Sequence, residues 1–499
     1  MNKHLALAFV FVAACSSHPI AYQSDSPWPH FRADAAQDGR ASAASPDAAG
    51  GAFWSYRTGK GVFSSPIVGS DGTIYIGSAD RTFYALAPDG SVKWSLLTGE
   101  IIDSAGLLDD GGRVIFGSGD GVLRALDART GNSVWMTPAD SPDVTSAFIN
   151  WFEGNVALSP SGALYVPNDN HFVYAVDRAS GNISERLRMP DQTWSSPAFD
   201  DKGHLFIGNN NVVSFEGSNL FAFDGGGGDV WDQFVGLGSI AASPLYTPDG
   251  KVIVGGFDGY VRAYDAKSGA VVWQFGARDH IYASPARLSD GTIVQPATDG
   301  TVYGLDEATG AQRWAFDIRD PIRSSPAVDG KDNIYFGAGD GRLYVLNHDG
   351  TLRWSIQLIS DDRNDVNASP ALGKDAVYIA GESGEVFSVP YDYCLHADGA
   401  ADPRCAPAAA PSLPADGGQL LYTTEFGAEL AAPPATIAPN QPIILSLVAR
   451  AGGHDTLAIL DSSAVMVTVT PTVPVSVDVA GDGKFLTITP TGAFAAGAD

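Results

Sequence analysis

The chain repeats itself with a step of about 41 residues. No other feature constrains its folding as strongly, because a unit this short must bury its apolar face against copies of itself. Ala283-Ser-Pro285 leads through Asp290-Gly-Thr-Ile-Val to Asp299-Gly-Thr-Val-Tyr-Gly-Leu-Asp306, then Thr309-Gly310 and Trp314. Ser324-Ser-Pro326 leads through Asn333-Ile-Tyr-Phe-Gly to Asp340-Gly-Arg-Leu-Tyr-Val-Leu, then Asp349-Gly350 and Trp354. Eight bodies align, with starts at Pro66, Gly106, Ala157, Pro197, Pro244, Pro285, Pro326 and Pro370. Each holds apolar alternating runs such as Thr73-Ile-Tyr-Ile, separated by Asp-Gly pairs such as Asp120-Gly121, Asp258-Gly259, Asp299-Gly300 and Asp340-Gly341. Asp-Gly supplies the positive φ angles of two-residue hairpins. Three hairpin-linked strands and a Trp-bearing fourth make one propeller blade.

The tryptophan keeps a fixed offset, four residues after a turn glycine: Gly90 and Trp94, Gly131 and Trp135, Gly269 and Trp273, Gly310 and Trp314, Gly350 and Trp354. Trp231 follows the glycine-rich turn Gly225 to Gly228. The offset puts each indole where it can pack on the next blade and donate its N–H. A ligand site built from these indoles is the other reading. In the third body the position is Glu185, so one contact between blades must be built differently. The eighth body ends at Pro390 without a Trp strand, but Phe53-Trp54-Ser-Tyr56 lies upstream of the first. An N-terminal strand carrying Trp54 would complete the eighth blade and hide the edges of an open array. The expectation is an all-β, eight-bladed β-propeller over 53–392.

The acylable end and the cysteines come next. Met1-Asn-Lys-His4 precedes ten apolar residues, Leu5 to Ala14, too short a run to span a membrane. The run ends in Val12-Ala-Ala-Cys15, which resembles a bacterial lipobox, in which the cysteine is lipidated. That resemblance implies a signal peptide over 1–14 and a tether over 15–52. With Ser16 after Cys15, it also implies an outer-membrane lipoprotein at the periplasmic or cell-surface face, held by its lipid alone. Export places Cys394 and Cys405 in an oxidising compartment, and their turn-rich segment suits a disulfide better than a metal.

The Ala-Leu-Asp127 to Trp135 and Ala-Tyr-Asp265 to Trp273 stretches, and the opening Trp28-Pro-His-Phe-Arg-Ala-Asp34, resemble the PQQ-type (quinoprotein-like) β-propeller repeat family. The resemblance covers about 28–390 and divides on function. Quinoprotein dehydrogenases hold pyrroloquinoline quinone and Ca²⁺ and usually carry adjacent cysteines over the cofactor. Here no cysteines are adjacent, and Cys394 and Cys405 lie beyond the last blade. Non-catalytic lipoproteins, exemplified by the propeller subunit of the outer-membrane barrel assembly machinery, hold other proteins by their loops. The lipobox and compact blades favour this second group. The expected function is therefore a monomeric, non-catalytic binding scaffold for an envelope protein or cell-surface polymer, with no cofactor. The dehydrogenase and the assembly factor are the alternatives.

No His-x-x-x-His, His-Glu-x-x-His or Gly-x-Ser-x-Gly occurs, so no catalytic residue and no metal ligand is assigned. Asp361 to Asn367 is rich in oxygen ligands but lacks calcium-loop spacing. A net charge of −27 opposes nucleic-acid binding. Two stretches exceed the repeat, Ser141 to Phe152 and Gly208 to Gly217. Phe148, Trp151 and Phe152 in the first form the candidate binding loop, or else cover the irregular third blade. Residues 393–419 are assigned as the disulfide loop and an Ala/Pro/Gly-rich linker, after which strand-like runs return from Leu420: 443–448, 465–470, 475–479 and 485–489. They resemble bacterial Ig-like modules, which implies a small Ig-like β-sandwich, whole or cut short, over 420–499.

Overall fold

The computed structural model describes residues 22–41, 51–140, 149–210, 218–233, 235, 238–360 and 365–406, and five strands beyond residue 425. The chain divides into two units, at Pro407 and Ala408. Unit one holds eight four-stranded antiparallel sheets, the blades of a propeller. Blade 1 runs Ile67–Val68, Ile74–Gly77, Thr82–Leu86 and Val92–Leu97, and blades 2 to 7 repeat this order. Blade 8 takes Ala371–Leu372, Ala376–Ala380 and Glu385–Pro390 from the end of the ring and Trp54–Arg57 from its beginning. Trp54 pairs Ser388 and Arg57 pairs Glu385, which closes the circle. The structure shifts one register: Val156, not Ala157, precedes the first strand of blade 3, as Pro66 does in blade 1.

The middle two strands of each blade are buried almost throughout, while outer strands alternate, as in Val271–Gly276. Inner strands are covered on both faces by neighbouring blades and therefore read as continuous apolar runs. Hairpin glycines adopt the expected positive φ, +73° at Gly121 and +80° at Gly300.

Five of the eight seams between blades share one device. The indole of one blade lies on the turn glycine of the next, and its Nε1 donates to a carbonyl just before that glycine. Trp94 bonds Ala128 O at 3.0 Å, Trp135 bonds Arg178 O at 3.1 Å, Trp231 bonds Ala266 O at 2.9 Å and Trp273 bonds Glu307 O at 2.8 Å. Trp54 does the same to Pro88 O at 2.8 Å. A Cβ on Gly310, which sits at φ +71°, would lie 2.6 Å from the Trp273 ring. The cross-strand partner of the indole is small, Ala85 for Trp94 and Gly304 for Trp314, which explains the alanine of the repeated Ala-x-Asp stretch. Glu185 occupies the indole position on the blade 4 turn, where a Cβ on Gly227 would overlap its carboxylate. At the last seam Trp354 donates to Asp392 Oδ1 at 3.3 Å, and Asp392 takes the left-handed conformation, φ +54°, that glycine takes elsewhere.

Two boundaries differ from those read in the sequence. Residues 22–41 fall within the expected tether but pack into the propeller: Trp28 is 3 % exposed, His30 0 % and Arg32 2 %. The segment 393–406 belongs to unit one rather than to a linker. Cys394 and Cys405 are bonded there, with Cα atoms 5.5 Å apart. The loop grips the closing seam, with Tyr393 against Phe53 at 5.4 Å and Arg404 over the Phe53 ring at 4.1 Å.

In unit two the described strands form one antiparallel sheet, Phe426–Leu430, Ile443–Ala451, Phe485–Pro490 and Val475–Val479 in that order, with His454–Thr456 pairing Ile443–Ala451. The second sheet of a sandwich is not among the described residues. The expected run 465–470 lies outside them, as do Cys15 and Phe148.

A one-ended central channel as the candidate site

The eight first strands converge on an axial channel whose wall is built from the Ser-Ser-Pro positions. The second serine of each pair accepts the backbone N–H of the preceding blade. Ser196 N donates to Ser243 Oγ at 3.0 Å, Ser243 N to Ser284 Oγ at 2.9 Å, and Ser284 N to Ser325 Oγ at 2.9 Å. The belt continues through Ser325 N to Ser369 Oγ at 3.0 Å and Ser369 N to Ser65 Oγ at 3.0 Å. Asn155 replaces serine in blade 3, where its Oδ1 accepts Ala105 N at 2.6 Å and its Nδ2 donates to Ser196 Oγ at 2.8 Å. The first serine bonds forward, as Ser64 Oγ does to Ser104 O at 3.0 Å. A buried backbone N–H left unpaired is costly, so a hydroxyl between blades is a structural requirement at the axis.

Residues 22–41 shut one end. They cross the first strands of blades 1, 2, 4, 5, 6 and 7 in turn, through Val68 N to Trp28 O, Leu108 N to Pro29 O, Phe199 N to Ala35 O, Tyr246 N to Ala36 O, Arg287 N to Asp38 O and Val328 N to Gly39 O. Arg32 drives its guanidinium inward, donating to the carbonyls of Pro326 and Pro285. Gln37 Nε2 donates to Pro197 O at 3.3 Å. Burial lowers His30 to about 4, so its ring is neutral at pH 7, and lowers Arg32 to about 10, which leaves it charged. The family's opening stretch, Trp28 to Asp34, is thus a plug.

The other end is a cavity of about 160 Å³ floored by Phe31. One residue per blade, two before the belt, rings it: Phe63, Asp103, Glu153, Trp194, Ala241, Tyr282, Arg323 and Asn367. The ring is not symmetric. Blades 2 and 3 supply acids. Burial pushes Asp103 up to about 6. Burial, and then the Asp103 charge, pushes Glu153 up to about 7. Asp169, on the adjacent hairpin of blade 3, is 1 % exposed, and neither of its carboxylate oxygens has a partner within hydrogen-bond distance. Burial, and next the Glu153 charge, lifts it to about 8 against a smaller pull from the Trp194 indole. The far wall holds Arg323 over the Tyr282 ring at 5.6 Å, with Asp365 3.7 Å from its guanidinium.

The candidate loop residues separate. Phe152 is 3 % exposed within the core of blades 2 and 3, with Tyr174 at 6.0 Å, so it is a core residue and not a binding one. Trp151 is half-buried, and its carbonyl accepts Asp169 N at 2.9 Å. Trp54, Trp94, Trp135, Trp231, Trp273, Trp314 and Trp354 lie at seams, away from the cavity lining. Asp103, Glu153, Asp169 and Trp194 were not singled out from the sequence. The signal of Asp103, Glu153 and Trp194 is an unusual residue at a fixed distance before the Ser-Ser-Pro position, which serves above only to set the repeat register; Asp169 stands on a hairpin and carries no such signal.

A quinone site is a poor fit to this lining. The cofactor of the dehydrogenases is a tricarboxylate, and it would meet Asp103 and Glu153. Among the described residues no three His, Cys, Asp or Glu side chains converge where a metal ion could sit.

These features define the class: a ring of eight PQQ-like blades, closed by its own N-terminal strand and plugged at one end. The chain belongs to the family described as outer membrane protein assembly factor BamB, which matches residues 35–232 and 216–392. Among solved structures, BamB from Moraxella catarrhalis is 18 % identical with a TM-score of 0.54, covering 68 % of this chain and 98 % of that one. Quinohemoprotein alcohol dehydrogenase from Comamonas testosteroni is 14 % identical with a TM-score of 0.58, covering 72 % and 80 %. The computationally designed Ika8 protein is 15 % identical with a TM-score of 0.56, covering 67 % and 97 %. At these identities the likeness is one of fold. No curated protein matches the chain.

Proposed function

We propose that the chain is a non-catalytic scaffold of the bacterial envelope, lipidated at Cys15, that holds a segment of another protein at the open mouth of its channel. The observation that carries this reading is the one-ended channel. Arg32 and its neighbours seal one end with backbone and side-chain hydrogen bonds, while the other opens on Asp103 and Glu153, acids that burial holds back from ionising. A buried charge without a partner costs stability, and a partner that supplies the missing charge recovers that cost. Of the first stretch that exceeds the repeat, the described residues 149–152 run directly into Glu153, which lines the mouth. Loops on a rigid frame are where binding is grafted. The family match favours an assembly role at the outer membrane as the finer version of this reading.

A photo-crosslinking residue placed at Ala241, in the mouth, and another at Val272, 47 % exposed on an outer strand, test the proposal in cells. Capture of one discrete envelope protein from Ala241 and not from Val272 is expected. Equal capture from both, or none from Ala241, would overturn it.

A further inference from the structure

We infer that the acidic side of the channel mouth is a receptor for the guanidinium of an arginine carried by the partner segment. The inference rests on the scaffold reading and names what the mouth recognises.

Three observations carry it. Asp169 is 1 % exposed with both oxygens unpartnered, and Asp103 Oδ1 is likewise buried without a partner. An acceptor in this state calls for an explanation, and a donor from outside the chain supplies one. The charges belong to one cluster, since Glu153 feels Asp103 and Asp169 feels Glu153, while Glu153, Asp103 and Trp194 all line the same cavity. The acids are spread over blades 2 and 3 rather than converging on a point.

That spread selects the ligand. A metal ion needs its oxygens gathered at roughly 2.0–2.6 Å around one centre. An ammonium is a compact charge with three donors. A guanidinium is planar, with five donors in a fixed fork that can bridge separated carboxylates, and its face stacks on an indole. Trp194 supplies that indole: it lines the cavity, and its N–H is turned toward Asp169. The cavity of about 160 Å³ admits one such side chain from the mouth and ends at Phe31.

The test uses the full mature chain and three fluorescein-labelled peptides, identical except for a central Arg, Lys or Gln. Fluorescence anisotropy should show the Arg peptide binding at least about tenfold more tightly than the Gln peptide, with Lys between them. Glu153→Gln with Asp169→Asn should remove that preference, while circular dichroism shows the folded propeller. Phe257→Ala, outside the acidic sector, should keep it. Equal affinity for the Arg and Gln peptides would overturn the inference. So would displacement of the Arg peptide by micromolar CaCl₂, which would assign the acids to a metal. Persistent capture from Ala241 without any Arg preference would leave the scaffold standing and remove only the guanidinium. Loss of capture with the Arg preference intact would do the reverse.

Discussion

Seven seams of the ring carry an indole and one carries a carboxylate. At the seam between blades 5 and 6 Trp273 is 7 % exposed, lies on Gly310 and donates to Glu307 O. At the seam between blades 3 and 4 Glu185 lies on Gly227, and the Glu185 and Asp224 charges raise the pKa of Tyr165 after burial has done so. The regular seam is a matched set: a positive-φ glycine, a small cross-strand partner and a carbonyl for the indole. The irregular seam keeps the glycine and the small partner, Ala175, and loses the apolar area and the hydrogen bond. It also borders the sector that contains both longer connections, the acids and Trp194. Where the repeat is obeyed it builds the ring; where it is broken, stability is given up next to the proposed site.

The largest effect should come from breaking a regular seam. Trp273→Ala removes a buried indole and should cost about 3–5 kcal/mol in denaturant unfolding, whereas Glu185→Ala should change stability by less than about 0.5 kcal/mol. Equal costs would show that the two seams are alike. Next is the plug, which touches regular blades. Arg32→Met leaves the Pro285 and Pro326 carbonyls unpaired and should cost about 2–4 kcal/mol, with faster proteolysis of residues 22–41.

The acidic sector should set a pH dependence. Asp103, Glu153 and Asp169 titrate above ordinary carboxyls, so between about pH 4 and their folded values of about 6, 7 and 8 the folded chain holds protons that the unfolded chain has released. Stability must therefore fall as pH rises through this window, by up to about 1.4 kcal/mol per pH unit for each proton. The buried Asp34 and Asp38 of the plug, also raised chiefly by burial, add to the same slope. Asp103→Asn, Glu153→Gln and Asp169→Asn together should flatten the part that belongs to the mouth, read as denaturation midpoints at pH 5.5 and 8. A slope unchanged by the triple variant would place it in the plug alone. The smallest effect is a gain. Glu185→Trp converts the irregular seam to the regular pattern and should add about 1 kcal/mol. A loss would mean that blades 3 and 4 meet at a spacing an indole cannot fill.

Much of the ring was legible because its physics is local and repeated. Asp-Gly turns, alternating runs and the Gly-to-Trp offset each report contacts within one hairpin or with the next blade, and closure by Trp54 follows from counting strands. The plug was not legible in the same way. Trp28 to Gly39 touches six blades through single backbone bonds, which leave no periodic trace, and Arg32 in a sequence looks like any surface arginine. Phe152 misled because an aromatic in a longer connection carries no mark of which way it faces. The mouth was hidden for another reason: Asp103 and Glu153 stand at a position that the repeat allows to vary, and only convergence on the axis brings them together.

Hydrogen exchange on the full chain, with and without the partner captured through Ala241, tests the account most directly. The account predicts new protection confined to the mouth-face connections of blades 2 to 4, near Asp103, Glu153 and Asp169, with residues 22–41 slow to exchange in both states. Protection on the outer strands, or a plug that exchanges freely and becomes protected only on binding, would contradict a channel shut at one end and read from the other.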